Sequence, residues 1–321
     1  MTNHSPVVLI AFNRPDTFAR VLANLAAAHG VSERDVYVYV DGPRGEGDRA
    51  LCDQVVDVAE RFRDQLPRLS IIRRECNLGC RENVVASISE VMEKQGRAII
   101  VEDDVLVSHT FLDYMDAALE FYRDDQRIWS INAWRNRFVH IPPSYKHDVY
   151  LTPRMLCWGW GTWKDRWEGV DFDLTDWPTR GEQSEMCAML DGAGVDLHRM
   201  LQLQYEGVLD TWDVQCCYHV AKNGLYCVEP RFALTKNIGS GVVPTHCIDE
   251  DPVVTHAAYY DFSPRLVSGL GPDFLLLRQF PHALFNPSLT VRAYRRLLRW
   301  MLRFTPRHDV PVPVESDEGQ K

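Results

Sequence analysis

Long apolar runs are missing from this 321-residue chain. A few polar residues lead into the short run Val7 to Phe12, which has neither the basic leader nor the length of a signal sequence or membrane span. The expectation is a cytoplasmic protein. Clustered positive charge in excess is missing too: 35 Lys and Arg stand against 45 Asp and Glu, for a formal net charge of −10. A general nucleic-acid binder must meet the phosphate backbone with clustered cations, so no nucleic-acid partner is expected. Neither G-x-G-x-x-G nor G-x-x-x-x-G-K-[ST] occurs, which disfavours a dinucleotide-binding dehydrogenase and a P-loop NTPase. G-x-S-x-G is absent, and no Ser or Cys carries a local nucleophile signature. The nine cysteines lack paired C-x-x-C spacing, so no structural zinc is assigned, and their odd number in a chain without a secretion signal reads as free thiols.

What is present suffices for a large core: 45% of the residues are hydrophobic and 25% charged, as in ordinary globular proteins. The first half alternates short apolar runs with longer amphipathic segments. VVLIAF precedes Thr17 to Ala28, VYVYV precedes Arg49 to Phe62, LSII precedes Glu82 to Met92, and AIIV precedes Phe111 to Tyr122. This is the rhythm of repeated βα units. Continuously apolar strands are those of a parallel sheet covered by helices on both faces, which makes the fold class α/β.

Each run hands over to a polar cluster: Asn13-Arg14-Pro15-Asp16, Asp41-Gly42-Pro43-Arg44, Arg73-Arg74-Glu75 and Glu102-Asp103-Asp104. The carboxyl ends of parallel strands share one edge, where ligands bind, so four polar clusters converge on one crevice. Asn13 and Pro15 predict a helix start, with Asn as cap and Pro in the first turn. After Tyr150 the pattern loosens. LCWGWGTWKDRW crowds aromatic residues and glycines together, helical stretches follow over Glu182 to Leu190 and Asp196 to Glu206, and LDTWDVQCCYHVAKNG stops at Gly224 as a C-cap. TVRAYRRLLRWMLRF forms a basic amphipathic helix at 290–305 that either docks on its own domain with snorkelling arginines or makes peripheral contact with the inner face of an anionic membrane. The Pro-, Glu- and Asp-rich residues 311–321 read as a disordered tail.

The strongest chemical signal is AIIVEDDVLV. Three adjacent carboxylates at the end of a buried strand would raise one another's pKa unless a cation neutralised them. Hard oxygen ligands suit Mg²⁺ or Mn²⁺, which take one or two protein carboxylates and complete their shell with phosphate and water. A metal bridging a diphosphate is then the natural role for the triplet, although an isolated EDD tripeptide is more often a solvated turn.

VVLIAFNRPD, the VDG at Val40 to Gly42, VEDDVLV, YMDAALEFYRDDQRIWSINAW and WGWGTW, in this order, resemble bacterial family-2-like GT-A glycosyltransferases and the catalytic domain of the N-acetylglucosaminyltransferase I group. The resemblance covers roughly Pro6 to His246. It implies a Rossmann-like, mixed but mainly parallel sheet. Residues 1–250 would be the catalytic domain, with 1–135 binding the nucleotide-sugar and 136–250 the acceptor, followed by an extension at 251–310. It further implies that Asp41 accepts from the base imide, that Arg14 lies near the uridine or phosphates, that Glu102 and Asp103 meet the ribose and donor-sugar hydroxyls, and that Asp104 ligates Mn²⁺ or Mg²⁺. Arg81 would reach the nucleotide or serve as a surface residue. The donor would be a UDP-sugar, such as UDP-N-acetylglucosamine, and the acceptor a hydroxyl of a glycan, glycolipid or small molecule.

Inverting transfer needs a base for the acceptor proton. By the resemblance this is Asp213 of the Trp212-Asp213 pair, in an otherwise apolar segment. The family carries two consecutive aspartates here, whereas Asp213 is followed by Val214 and preceded by Asp210, which leaves Asp210 as the alternative. Among Trp158, Trp160 and Trp163, an aromatic wall for a sugar ring is one reading and core the other; Trp163 and Trp167 are assigned to the core, and Trp160, between two glycines, to the donor site. His246 is either a second metal ligand, as in some GT-A enzymes, or a loop histidine. A sugar-nucleotidyltransferase would need a glycine-rich basic loop after the first strand, which AFNRPD lacks. A non-catalytic carbohydrate-binding protein on the same fold remains a third reading.

Overall fold

The computed structural model describes residues 4–177, 183–239, 258–282, 311 and 313–314, apart from the side chains of 183–185. His246, the helix expected at 290–305 and most of the tail lie outside them.

Four βα units open the chain: β1 (Val7–Ala11), α1 (Pro15–Ala26), β2 (Val36–Val40), α2 (Glu46–Arg61), β3 (Leu69–Arg73), α3 (Gly79–Gln95), β4 (Arg97–Glu102) and, after the short β5 (Val105–Val107), α4 (Phe111–Phe121). Then follow β6 (Ile128–Asn132), β7 (Val149–Thr152), β8 (Trp160–Trp163), α5 (Lys164–Trp167), α6 (Gln183–Asp191), α7 (Leu197–Tyr205), α8 (Asp213–Lys222), β9 (Tyr226–Pro230) and β10 (Thr235–Asn237). Eight strands form one sheet in the order β3-β2-β1-β4-β8-β6-β9-β7. β3, β2, β1 and β4 are mutually parallel. The remaining strands alternate in sense, except that β6 and β9 run parallel. The expected mixed, mainly parallel α/β sheet is what the chain forms.

The pleat divides the core in two. Val7, Leu9 and Ala11 of β1 point to the face covered by α1, α2 and α4, while Val8 and Ile10 point to the face covered by α3 and the later helices, as alternation along a strand dictates. Within the described residues no helix is long and apolar enough to cross a membrane, and the eight cysteines among them form no disulfide.

The structure alters several local expectations. Asn13 does not cap α1: Arg14 is the residue before the helix, no side chain caps its start, and the Asn13 amide donates to Asp48 Oδ1 at 2.7 Å. Pro15 does occupy the first turn, where its missing N–H costs nothing. WGWGTW, where the sequence pattern loosens, contributes β8, an antiparallel strand inserted between β4 and β6. Gly161 makes that insertion possible, because a Cβ there would lie 2.8 Å from the Ala98 carbonyl oxygen and 2.9 Å from Met115. Of the tail, Pro313 bridges to Tyr260 and the Val314 N–H donates to the Tyr259 carbonyl at 2.9 Å, so these two residues are docked.

Trp160 is fully buried. It is stacked between Trp129, at 5.7 Å and 12°, and Trp212, at 5.4 Å and 21°. The expectation of a sugar-facing Trp160 is therefore corrected: removing a large indole from water favours the core over an open wall. Trp163 and Trp167 are buried as expected, and their indole N–H groups donate to the Leu119 carbonyl and to Ser89. Trp160→Ala is expected to destabilise the fold by about 3–5 kcal/mol, read as a shift in the urea midpoint. A loss under about 1 kcal/mol would contradict a packed stack.

Candidate functional site

In the strand order β3-β2-β1-β4, the chain leaves β1 towards β2 on one side, while β4 lies on the other. The crevice at such a reversal, outside the carboxyl ends of the strands, is where open α/β sheets bind ligands. Arg14 follows β1 and the acidic triplet ends β4, so the two clusters face each other across this point.

Their side chains meet. Arg14 Nη1 donates to Asp104 Oδ2 at 2.9 Å, Nε donates to Asp103 Oδ2 at 3.3 Å, and Nη2 is ion-paired with Asp103 Oδ1. One guanidinium thus forks across two adjacent carboxylates, a geometry for which its planar donor set is suited. Asp103 is buried; burial pushes its carboxyl above the usual range, opposed by Arg14 and by the Phe12 backbone. Burial works against the Arg14 charge, but Asp103 and Asp104 more than offset it and hold the guanidinium protonated.

Asp104 sits in the turn between β4 and β5, and a two-stranded sheet fixes it from the other side. β5 pairs antiparallel with β10, the Asp104 carbonyl accepts from the Ile238 N–H at 2.8 Å, and Asn237 Nδ2 donates to Asp104 Oδ1 at 3.2 Å. Gly239 lies directly against the carboxylate, where a Cβ would stand 2.2 Å from Oδ2. Asn237 and Gly239 were not singled out from sequence. Their signal is the small polar loop NIGSG, whose pairing partner only the fold reveals.

Glu102 is partly exposed. Its carboxyl is raised well above the usual range, by burial first and then by the negative charges of Asp104, Asp213 and Asp103. Asp213 is thus within electrostatic reach of Glu102. Asp213 opens α8 rather than lying within the helix, and Thr211 Oγ1 donates to its Oδ1. A carboxylate at a helix start is favoured by the exposed N–H groups there. Asp210 is exposed, and its Oδ2 accepts from the Cys80 N–H at 3.2 Å, at the start of α3. The two candidate bases thus differ: Asp210 is engaged by a neighbouring helix, and Asp213 is held by the Thr211 hydroxyl.

Asp41 is buried at the end of β2 and carries four donors. Oδ1 accepts from the N–H groups of Gly42 and Leu78, at 2.8 and 2.9 Å, while Oδ2 accepts from Asn77 Nδ2 and the Gly79 N–H, at 2.9 and 3.1 Å. Burial raises its carboxyl, opposed by these N–H donors. The carboxylate therefore ties β2 to the start of α3, a task its sequence context did not disclose. Arg81 Nη1 donates to the Phe172 carbonyl and to Asp173 Oδ1, at 3.0 and 3.1 Å, so its guanidinium ties α3 to the segment that follows α5.

Among the described residues no three His, Cys, Asp or Glu side chains converge to hold a metal ion. Among the described residues, a cation bound entirely by protein does not fit. A hard cation held by one carboxylate and completed by phosphate oxygens does fit, with Asp104 as that carboxylate and Gly239 as the cradle that any side chain would fill.

A second acidic group that sequence reasoning missed lies at the carboxyl end of β9. Glu229 is fully buried. Oε1 accepts from the Asn136 N–H at 2.6 Å and from the Tyr150 hydroxyl, and Oε2 has no hydrogen-bond partner among the described residues. Burial pushes its carboxyl up to about 7. The native state therefore retains, between the usual glutamate pKa and about 7, a proton that the unfolded chain has released. Stability falls as pH rises through that window, by at most on the order of 3 kcal/mol. Glu229→Gln keeps the accepting oxygen and removes the titration, so its urea stability is expected to decline less between pH 5 and pH 8 than that of the parent. Parallel pH curves would show that Glu229 does not titrate there.

No family model matches the chain. Among solved structures it is similar to S. aureus TarS, with 13% identity and a TM-score of 0.35 over 50% of this chain and 28% of that one. It is similar to TarS 1-349 in complex with UDP, with 14% identity and a TM-score of 0.33 over 49% and 46%. A third match is the galactosyltransferase LgtC in complex with donor and acceptor sugar analogs, with 16% identity and a TM-score of 0.36 over 69% and 72%. The matched region spans less than half of either TarS chain.

Proposed function

We propose that this chain is a GT-A glycosyltransferase that moves a sugar from a UDP-sugar to an acceptor hydroxyl, with inversion and with Mn²⁺ or Mg²⁺ as cofactor. The observation that carries this reading is the pairing of Arg14 with Asp103 and Asp104 at the β1/β4 reversal of a parallel sheet. Asp213 in the same crevice supplies a carboxylate suited to proton removal. When bound, the cation would add positive charge beside the departing diphosphate.

Placement along the strand-end edge supports the following roles. Asp104 holds the cation, and Arg14 lies where it can meet a diphosphate oxygen as well as its two carboxylates. Asp41 acts first by positioning the Gly42, Leu78 and Gly79 backbone at the nucleotide end. A contact from Asp41 to the base would exchange one of its four present donors for the base imide. Glu102 reaches the donor sugar, and Asp213 takes the acceptor proton as the hydroxyl oxygen attacks the anomeric carbon and the nucleoside diphosphate leaves. Positive charge aimed at the leaving group and a base aimed at the nucleophile act on opposite sides of one displacement.

Calorimetric titration tests the reading. UDP is expected to bind, and to bind more tightly with Mn²⁺ present. Binding of a different nucleotide with no metal-enhanced UDP binding would overturn it.

A further inference from the structure

Arg14 occupies the oxygens that a cation would use. Its guanidinium contacts both Asp103 oxygens and Asp104 Oδ2. Asp104 Oδ1 is taken by Asn237, and beside Oδ2 Gly239 leaves the space that a side chain would fill. Among the described residues Arg14 is the one cation ion-paired with the triplet. Adding a divalent cation at Asp104 while Arg14 stays in place would set two positive centres on one carboxylate, in a setting where charges are poorly screened.

We propose that Arg14 is a latch on the metal site: it neutralises Asp103 and Asp104 in the free protein, and a nucleoside diphosphate draws it away to open Asp104 to the cation. The inference rests on the reading of Asp104 given above. A diphosphate offers the guanidinium a bidentate anionic partner of the kind it already holds. The exchange therefore moves Arg14 from one forked pair to another, and the cation at Asp104 takes over the neutralisation of that carboxylate and of the adjacent buried Asp103, whose charge would otherwise be strongly unfavourable. The consequence is ordered, mutually reinforcing binding: the factor by which UDP strengthens Mn²⁺ binding equals the factor by which Mn²⁺ strengthens UDP binding. Arg14 acts here as a positioning residue, through the carboxylates it releases.

The test is the electron paramagnetic resonance signal of free Mn²⁺, titrated against protein with and without UDP, which requires no turnover. In the parent protein Mn²⁺ alone is expected to bind weakly and UDP to tighten it by about tenfold or more. Arg14→Gln is expected to bind Mn²⁺ alone about tenfold more tightly than the parent and to show a smaller gain from UDP. Arg14→Lys keeps the charge but loses the fork, and its Mn²⁺ affinity is expected to fall between the two. It also carries the test should the glutamine variant not fold, as judged by circular dichroism. Unchanged or weaker Mn²⁺ binding to a folded variant, with the UDP gain of the parent intact, would overturn the latch while leaving Asp104 as ligand. Absence of Mn²⁺ binding to every protein, with or without UDP, would overturn both.

Discussion

Replacing Asp213 by asparagine is expected to lower kcat by about 10²- to 10⁴-fold, the range for removal of a general base, with donor affinity changed only a few-fold. The amide keeps the shape and can still accept from the Thr211 hydroxyl, so the loss isolates the proton-accepting capacity. Asp213 opens α8, where a fixed backbone and the Thr211 bond limit its rotamers. Asp210→Asn is the matched control, because that carboxylate accepts a backbone N–H from Cys80 and the amide oxygen can do the same; its kcat is expected to change by less than about tenfold. Single-turnover rates over a pH series separate the two. An Asp213→Asn variant with full activity beside an inactive Asp210→Asn variant would transfer the base to Asp210, ahead of α8.

Asp104→Asn is expected to reduce transfer by about 10²- to 10³-fold, of the order seen when one preorganised electrostatic group is removed, and to abolish the strengthening of UDP binding by Mn²⁺. Its effect differs in kind from that of Asp213. It removes the carboxylate that shares Arg14 with Asp103, so Arg14 is left with a single forked partner and the crevice loses one negative charge. Asp103 remains paired, which keeps the turn between β4 and β5 anchored. Comparison of Mn²⁺-dependent and Mn²⁺-independent UDP affinity reads this directly. A variant that retains both metal enhancement and full transfer would remove Asp104 from its assigned role.

The four parallel strands and the helices between them were legible because their signals are local: apolar runs, helical spacing and polar strand ends recur within each βα unit. The shared edge followed from that topology, and Arg14, Asp41 and the triplet do lie along it. What the sequence hid depends on segments far apart in the chain. β8 joins the sheet between β4 and β6, so a Trp between glycines that reads as a donor-site residue is instead stacked between Trp129 and Trp212. The Asp41 carboxylate is occupied by backbone N–H groups more than thirty positions away, and no periodicity encodes that. Asn237 and Gly239 reach Asp104 across 133 positions for the Asn237 bond, through the pairing of β5 with β10. Glu229 reads as an ordinary acidic residue of VEP until its strand is placed inside the sheet, with Tyr150 opposite it.

The most direct measurement is release of nucleoside diphosphate from a panel of nucleotide sugars without acceptor, in the presence of Mn²⁺ and in the presence of chelator. Slow, metal-dependent hydrolysis of a UDP-sugar that falls sharply in Asp104→Asn is the expected result. A folded protein that hydrolyses none of the panel, or one whose hydrolysis is indifferent to the chelator and to Asp104, would contradict it.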